Sequence, residues 1–118
     1  MSKENNLSNT KKKALNETTN ILKDLLKNNL IKVVLYGSYA RGDYNDFSDI
    51  DVFILVNKKK EELNYLLNLI IDKLFDLDLK YNITINPLIE NTDTYNEYKD
   101  SSLLFENIEK EGVVLYGI

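Results

Sequence analysis

The sequence predicts an α/β (α+β) fold, with helices and strands alternating along one small domain, residues 1–118. Three observations predict it. Two runs, IKVVLY at 31–36 and IDVFILV at 50–56, are β-branched and apolar in the manner of buried strands. Leucines and isoleucines on either side of them recur at helical spacing. The chain has 118 residues, 43% hydrophobic and 29% charged, enough for one core and not for two.

Each element has its own justification. Leu15, Leu22, Leu25, Leu26 and Leu30 lie on one helical stripe, which predicts an amphipathic helix over 10–29. IKVVLY follows as the first strand and is broken by Gly37 and Ser38. Tyr39 to Arg41 form one helical turn, closed by Gly42, and 43–48 are loop. IDVFILV reads as a strand buried on both faces along most of its length. Leu63, Leu66, Leu67, Ile70, Ile71, Leu74 and Phe75 predict a helix over 59–77.

In KYNITINPLI, residues 80–89, Tyr81, Ile83 and Ile85 alternate with Asn82, Thr84 and Asn86, which predicts a strand with Pro87 near its end. Residues 91–100 are polar and irregular or weakly helical. Ser101 or Ser102 caps a helix through Leu104 and Ile108 that stops at Gly112, with Lys110 in its last turn. VVLY at 113–116 is a short last strand. The pentapeptide VVLYG thus occurs twice, at 33–37 and 113–117, each time as a strand ending at a glycine.

Composition removes whole classes of chemistry. With no cysteine and no histidine, disulfides, thiol catalysis, the usual zinc sites and imidazole acid–base catalysis are excluded. An enzyme built from this chain must work through carboxylates and a metal. A net charge of −4 and a pI near 4.8 argue against direct nucleic-acid binding. No apolar run reaches the ~18 residues of a membrane span, and the polar start MSKENNLSNTKKK has no signal-peptide core. A cytoplasmic location is the expectation. Lysines 11–13 and 58–60 read as solvated helix starts.

The chemistry concentrates in GSYARGDYNDFSDID, residues 37–51. On a strand, Asp49 and Asp51 project from one face, where two carboxylates within ~7 Å repel unless a cation lies between them. Magnesium fits, since it takes one or two carboxylates together with substrate phosphates. An isolated S-D-x-D also suits a plainer reading, with Ser48 and Asp49 as turn residues and Asp51 at an exposed strand edge. The Gly37-Ser38 turn shifts the balance, because its free N–H groups and the serine hydroxyl make an anion site. Arg41 adds a charged donor or ties the turn to the aspartates. One segment therefore supplies a phosphate cradle and a metal clamp, able together to hold a nucleotide triphosphate through its magnesium ion.

Gly37-Ser38-Tyr39-Ala40-Arg41-Gly42 followed by Ser48-Asp49-Ile50-Asp51 resembles the signature of the polymerase-beta-like nucleotidyltransferases, in particular their minimal nucleotidyltransferase (MNT) subgroup. The resemblance spans the chain; SSLLFENIEKEGVVLYG looks like the closing helix and strand of that subgroup. It implies the nucleotidyltransferase fold, a small mixed β-sheet flanked by helices. It gives Asp49 and Asp51 catalytic and metal-binding roles, and Gly37 and Ser38 the nucleotide phosphates, with Arg41 as a further motif position. It implies Mg2+ as cofactor, ATP as substrate, and a HEPN-domain toxin as partner, neutralised by transfer of AMP to a protein hydroxyl or by complex formation. Exposed apolar surface would serve a homodimer or a heteromer equally well.

One departure from the family stands out. Catalytic members carry a third carboxylate on the following strand, where it completes a second metal site and takes the acceptor's proton. Here the polar-facing positions are Thr84, the first choice for the equivalent, and Asn86, the second. Glu90 lies roughly 20 Å from Thr84 along an extended strand, and neither Glu90 nor Asp93 is an evident substitute. The sequence therefore supports nucleotide binding more firmly than transfer, and a catalytically weak or inactive nucleotide-binding antitoxin is the alternative function.

Overall fold

Ser8 opens the first helix: its hydroxyl accepts the Lys11 N–H at 3.2 Å. In the computed structural model, which describes residues 7–117, this helix, α1, is Asn9–Leu26. It buries Ala14, Leu15, Leu22 and Leu26 together with Thr18 and Thr19. The two threonine hydroxyls donate to the Ala14 and Leu15 carbonyls at 2.8 and 2.9 Å, so neither is buried without a partner. The helix ends earlier than the predicted residue 29, because Lys27 turns to φ 49° and a 3₁₀ turn, Lys27–Asn29, leads into the sheet.

The remaining elements are β1 (Leu30–Tyr36), α2 (Ser38–Arg41), β2 (Ile50–Val56), α3 (Leu63–Tyr81), β3 (Ile85–Asn91), α4 (Thr92–Tyr98), α5 (Leu103–Glu111) and β4 (Val113–Tyr116). The four strands form one sheet in the order β3-β2-β1-β4. β1 runs antiparallel to both β2 and β4, and β2 runs parallel to β3, with α3 as the connection. The sheet is mixed and flanked by helices, as expected.

Alternation along β2 explains the two cores. Ile50, Val52, Ile54 and Val56 point to one face and pack with Leu22, Leu26, Ile70 and Leu74 of α1 and α3. Phe53 and Leu55 point to the other and pack with Tyr95, Phe105 and Ile108 of α4 and α5. Phe53 lies 5.6 Å from Tyr95 and 6.0 Å from Phe105, ring centre to ring centre, in tilted geometry. The cluster on the second face is the smaller of the two.

Two expectations around α3 need correction. The helix predicted over 59–77 is shifted: Lys60–Glu62 form a 3₁₀ turn and α3 continues to Tyr81. The strand predicted over 80–89 consequently begins only at Ile85. Asn82 caps α3 in the left-handed conformation, φ 52°, and the Ile83 N–H still bonds to the Asp78 carbonyl. Tyr81 and Ile83 are nonetheless packed against the main core, which is why their alternation imitates a strand. Pro87 is tolerated in β3 because β3 is an edge of the sheet. Of the two alternatives for 91–100 the helical one holds: residues 92–98 form α4, which Asn91 caps by accepting the Thr94 N–H at 2.9 Å. Ser102, not Ser101, caps α5, which ends just before Gly112.

Candidate functional site

β1 ends at Tyr36, and the chain reverses into α2 through Gly37 at φ 73°, ψ −153°. That backbone is close to inaccessible to residues bearing a Cβ. Space imposes the same requirement. A Cβ on Gly37 would lie 2.4 Å from Asp51 Oδ2, so the bare glycine lets the carboxylate rest against the turn. The first helical bonds run from Ala40 and Arg41 to the Gly37 carbonyl at 3.1 Å, and the donors ahead of them lie outside the helical ladder. Gly42 closes the turn as expected, at φ 86°.

Asp51 is brought to this turn by register. It pairs with Tyr36 across β1–β2 and with Asn86 across β2–β3, so Tyr36, Asp51 and Asn86 form one row over three strands. The Asn86 amide donates to Asp51 Oδ1 at 3.0 Å. Burial, and then the Asp51 charge, push the Tyr36 hydroxyl pKa upward. β2 is an interior strand, so Asp51 does not sit at an exposed edge.

Gly37, Ser38, Arg41 and Asp51 line one cleft of about 340 Å³. Its opposite wall is α5, through Leu104, Asn107 and Glu111, and Tyr36 completes the lining. Arg41 does not tie the turn to the aspartates. Its guanidinium reaches Asp43 at 3.2 Å and Glu111 at 3.6 Å, which joins the turn to the end of α5 instead. Both pairs are largely exposed and contribute little stability, but they orient the arginine along the cleft wall.

Asp49 lies elsewhere in detail. It is exposed and stands one residue before β2, so only Asp51 is a ladder residue. Asp49 lines a neighbouring cleft, also about 340 Å³, with Ser48, Asn82 and Thr84. Ser48 acts as a turn residue: its Oγ accepts the Asn45 N–H at 3.0 Å, while Asn45 Oδ1 accepts the Phe47 N–H at 2.8 Å. Asp78 stands near. Burial and then the Asp49 charge raise its pKa, against the lowering effect of the Ile85 N–H that it accepts at 3.1 Å.

Of the two candidates for the third-carboxylate position, Thr84 precedes β3, uses its carbonyl to accept the Ile50 N–H at 2.8 Å and lines the cleft of Asp49. Asn86 stands directly opposite Asp51. Glu90 pairs with Leu55, well up the strand from Asp51. Among the described residues no group of three acidic side chains is gathered for a metal. The two carboxylates of the motif are hard oxygen donors of the kind magnesium takes together with phosphate oxygens and water, and they line neighbouring clefts rather than one.

Sequence reading missed Tyr36 and the α5 wall. The Tyr36–Asp51 pairing follows from hairpin register, which the long 37–49 connection conceals. Nothing local in LLFENIEKE announces that its exposed face meets residue 37.

Residues 15–115 match the nucleotidyltransferase domain family. Two proteins of Methanocaldococcus jannaschii, each named "Putative protein adenylyltransferase", are similar to the chain. One is 38% identical over 104 residues, covering 88% of this chain and 96% of the relative. The other is 44% identical over 70 residues, covering 55% and 64%. Among solved structures, a chain in the crystal structure of a mutant toxin–antitoxin complex, MntA–HpeT, superposes with a TM-score of 0.59 over 88% of this chain and 73% of that one, at 19% identity. That likeness is one of fold, and it agrees with the mixed sheet and flanking helices described above. The chain belongs to the nucleotidyltransferase domain family.

Proposed function

We propose that this protein is a magnesium-dependent protein adenylyltransferase that moves AMP from ATP to a hydroxyl group of a partner protein, and that the partner is a HEPN-type toxin for which it acts as antitoxin. The observation that carries the nucleotide reading is the contact of Asp51 with the side-chain-free Gly37, which sets a carboxylate beside a phosphate-binding turn. The names of the two archaeal relatives support the reaction class, and the toxin–antitoxin neighbour supports the setting.

In this reading the Gly37-Ser38 turn holds the β- and γ-phosphates through backbone N–H groups and the serine hydroxyl. Arg41 lends charge to the same wall. Asp49 and Asp51 would hold the magnesium ion, which when bound offsets phosphate charge. The acceptor oxygen attacks the α-phosphorus, the bond from that phosphorus to the bridging oxygen breaks, pyrophosphate leaves, and the hydroxyl proton passes to solvent. Preorganised donors at the pyrophosphate end favour the leaving group.

A second reading rests on Asn86. At the position opposite Asp51 this chain offers an amide that donates a hydrogen bond, neither an anion nor a base. A weak or inactive enzyme that binds nucleotide and neutralises its partner by complex formation follows from that. The test is transfer of label from ATP, labelled at the α-phosphate, to the co-purified partner. Label on a partner hydroxyl, lost in EDTA and in Asp51→Asn, supports the enzyme. A stable complex that never takes label supports the second reading; separate elution of the two chains contradicts the second reading, and separate elution with no label on the partner contradicts both.

A further inference from the structure

The cleft has two walls of different chemistry. One is the turn with Asp51, polar and built for phosphate. The other is the outer face of α5, where Leu104, Asn107 and Glu111 recur at helical spacing. This face is fixed from behind. Phe105 and Ile108 are buried in the second core, Ser102 caps the helix start by accepting the Phe105 N–H, and Arg41 meets Glu111 at its end. Asn107 is therefore presented to the cleft by a rigid element. Its side chain is exposed, and among the described residues its amide makes no hydrogen bond. Leu104, 43% exposed, gives an apolar surface one turn away, and Tyr36 gives a half-buried ring.

We propose that this face of α5 is the nucleobase-reading wall of the site and that Asn107 selects adenine. The inference rests on the nucleotide site proposed above and deepens it. With phosphates at the turn, the remainder of a nucleotide in the same cleft meets α5. An asparagine amide presents one donor and one acceptor side by side, which matches the N6 amino group and N7 of adenine. The corresponding edge of guanine shows two acceptors, O6 and N7, and leaves the asparagine oxygen facing one of them. Leu104 provides the apolar contact that a base plane needs.

The test uses the chain alone, titrated in magnesium with ATP, GTP and inorganic tripolyphosphate. Wild type prefers ATP over GTP by ~10-fold or more, as one good bidentate pair discriminates. Asn107→Ala weakens ATP to the level of GTP and leaves tripolyphosphate unchanged. The variant keeps its fold, because alanine is the better helix former at an exposed helical position; a circular dichroism melt checks this. An unchanged ATP-to-GTP ratio in Asn107→Ala, with tripolyphosphate binding intact, overturns the base-reading role alone. Failure of wild type to bind either ATP or tripolyphosphate overturns the nucleotide site, and the base-reading role with it.

Discussion

Val33–Gly37 and Val113–Gly117 are the same five residues, and they lie side by side in the sheet, antiparallel, with Leu35 opposite Val113 and Val34 opposite Val114. Both copies form strand, and both end in a glycine at positive φ, 73° for Gly37 and 92° for Gly117. Local sequence has dictated local structure twice over. What differs is the neighbour. Gly37 faces the Asp51 carboxylate, whereas a Cβ on Gly117 would lie 2.5 Å from the Ile31 backbone carbonyl. Tyr36 stands opposite Asp51, while Tyr116 lies under the Lys23 ammonium, 5.5 Å from the ring centre. β1 is an interior strand with β2 beside it; β4 is an edge. The comparison teaches that a strand-glycine end becomes a candidate site only through what the sheet places across from it.

The largest effect expected from breaking this comparison is at the two glycines. Alanine at either must enter a backbone region that costs on the order of 1–3 kcal/mol. Gly37→Ala must also displace the Asp51 carboxylate, so it loses both stability and magnesium–ATP binding. Gly117→Ala strains an edge strand and, once folded, binds ATP as wild type does. Denaturant melts and ATP titrations of both variants check this; equal binding by Gly37→Ala would uncouple the turn from Asp51.

Next in size is Asn86→Asp, which restores an anion opposite Asp51. Label transfer to the partner should rise by about 100-fold if general-base action is what the site lacks. The same variant should melt lower in EDTA and recover in magnesium, since the new carboxylate replaces a hydrogen-bond donor beside Asp51. Thr84→Asp should give the smaller gain in transfer, because Thr84 stands outside the row and lines the Asp49 cleft instead.

The smallest effect is a titration. The Tyr36 hydroxyl is held above the ordinary tyrosine range by burial and by Asp51. An acid whose folded pKa is raised makes the folded state hold its proton longer. Its contribution to stability is full below the unfolded value, about 10, and is lost as pH rises through the folded value. Asp51→Asn removes the charge and should bring the Tyr36 midpoint down. NMR of ring-labelled tyrosine would follow it, and a midpoint that stays put would remove Asp51 from the neighbourhood of the ring.

Much of this was legible in the residues. β2 spans the predicted 50–56, and β1 gains only Leu30 over the prediction, since runs of β-branched residues bounded by turn residues have few alternatives. The Gly37-Ser38 turn and its Asp51 partner were legible because a motif concentrates them in 15 residues. Thr84 was read as a strand residue because Leu77, Tyr81, Ile83 and Ile85 satisfy a helical stripe and an alternating one over the same stretch, while α3 runs on to Tyr81 and ends at the left-handed Asn82. Asn86 was legible as a polar-facing candidate, but its place opposite Asp51 was not, and Asn107 was beyond local reading. Each acquires its position through a neighbour far along the chain, Asp51 for the first and the Gly37 turn for the second.

In the proposed function, Asp51 resting against the Gly37 turn makes a magnesium–triphosphate site. Calorimetric titration of the chain with ATP, in magnesium and in EDTA, for wild type and Asp51→Asn, tests it directly. Binding is expected to depend on magnesium and to weaken by more than the ~10–100-fold typical of losing an outer-sphere partner when Asp51 loses its charge. Equal affinity in magnesium and EDTA, or an Asp51→Asn isotherm that overlays the wild type, would contradict it.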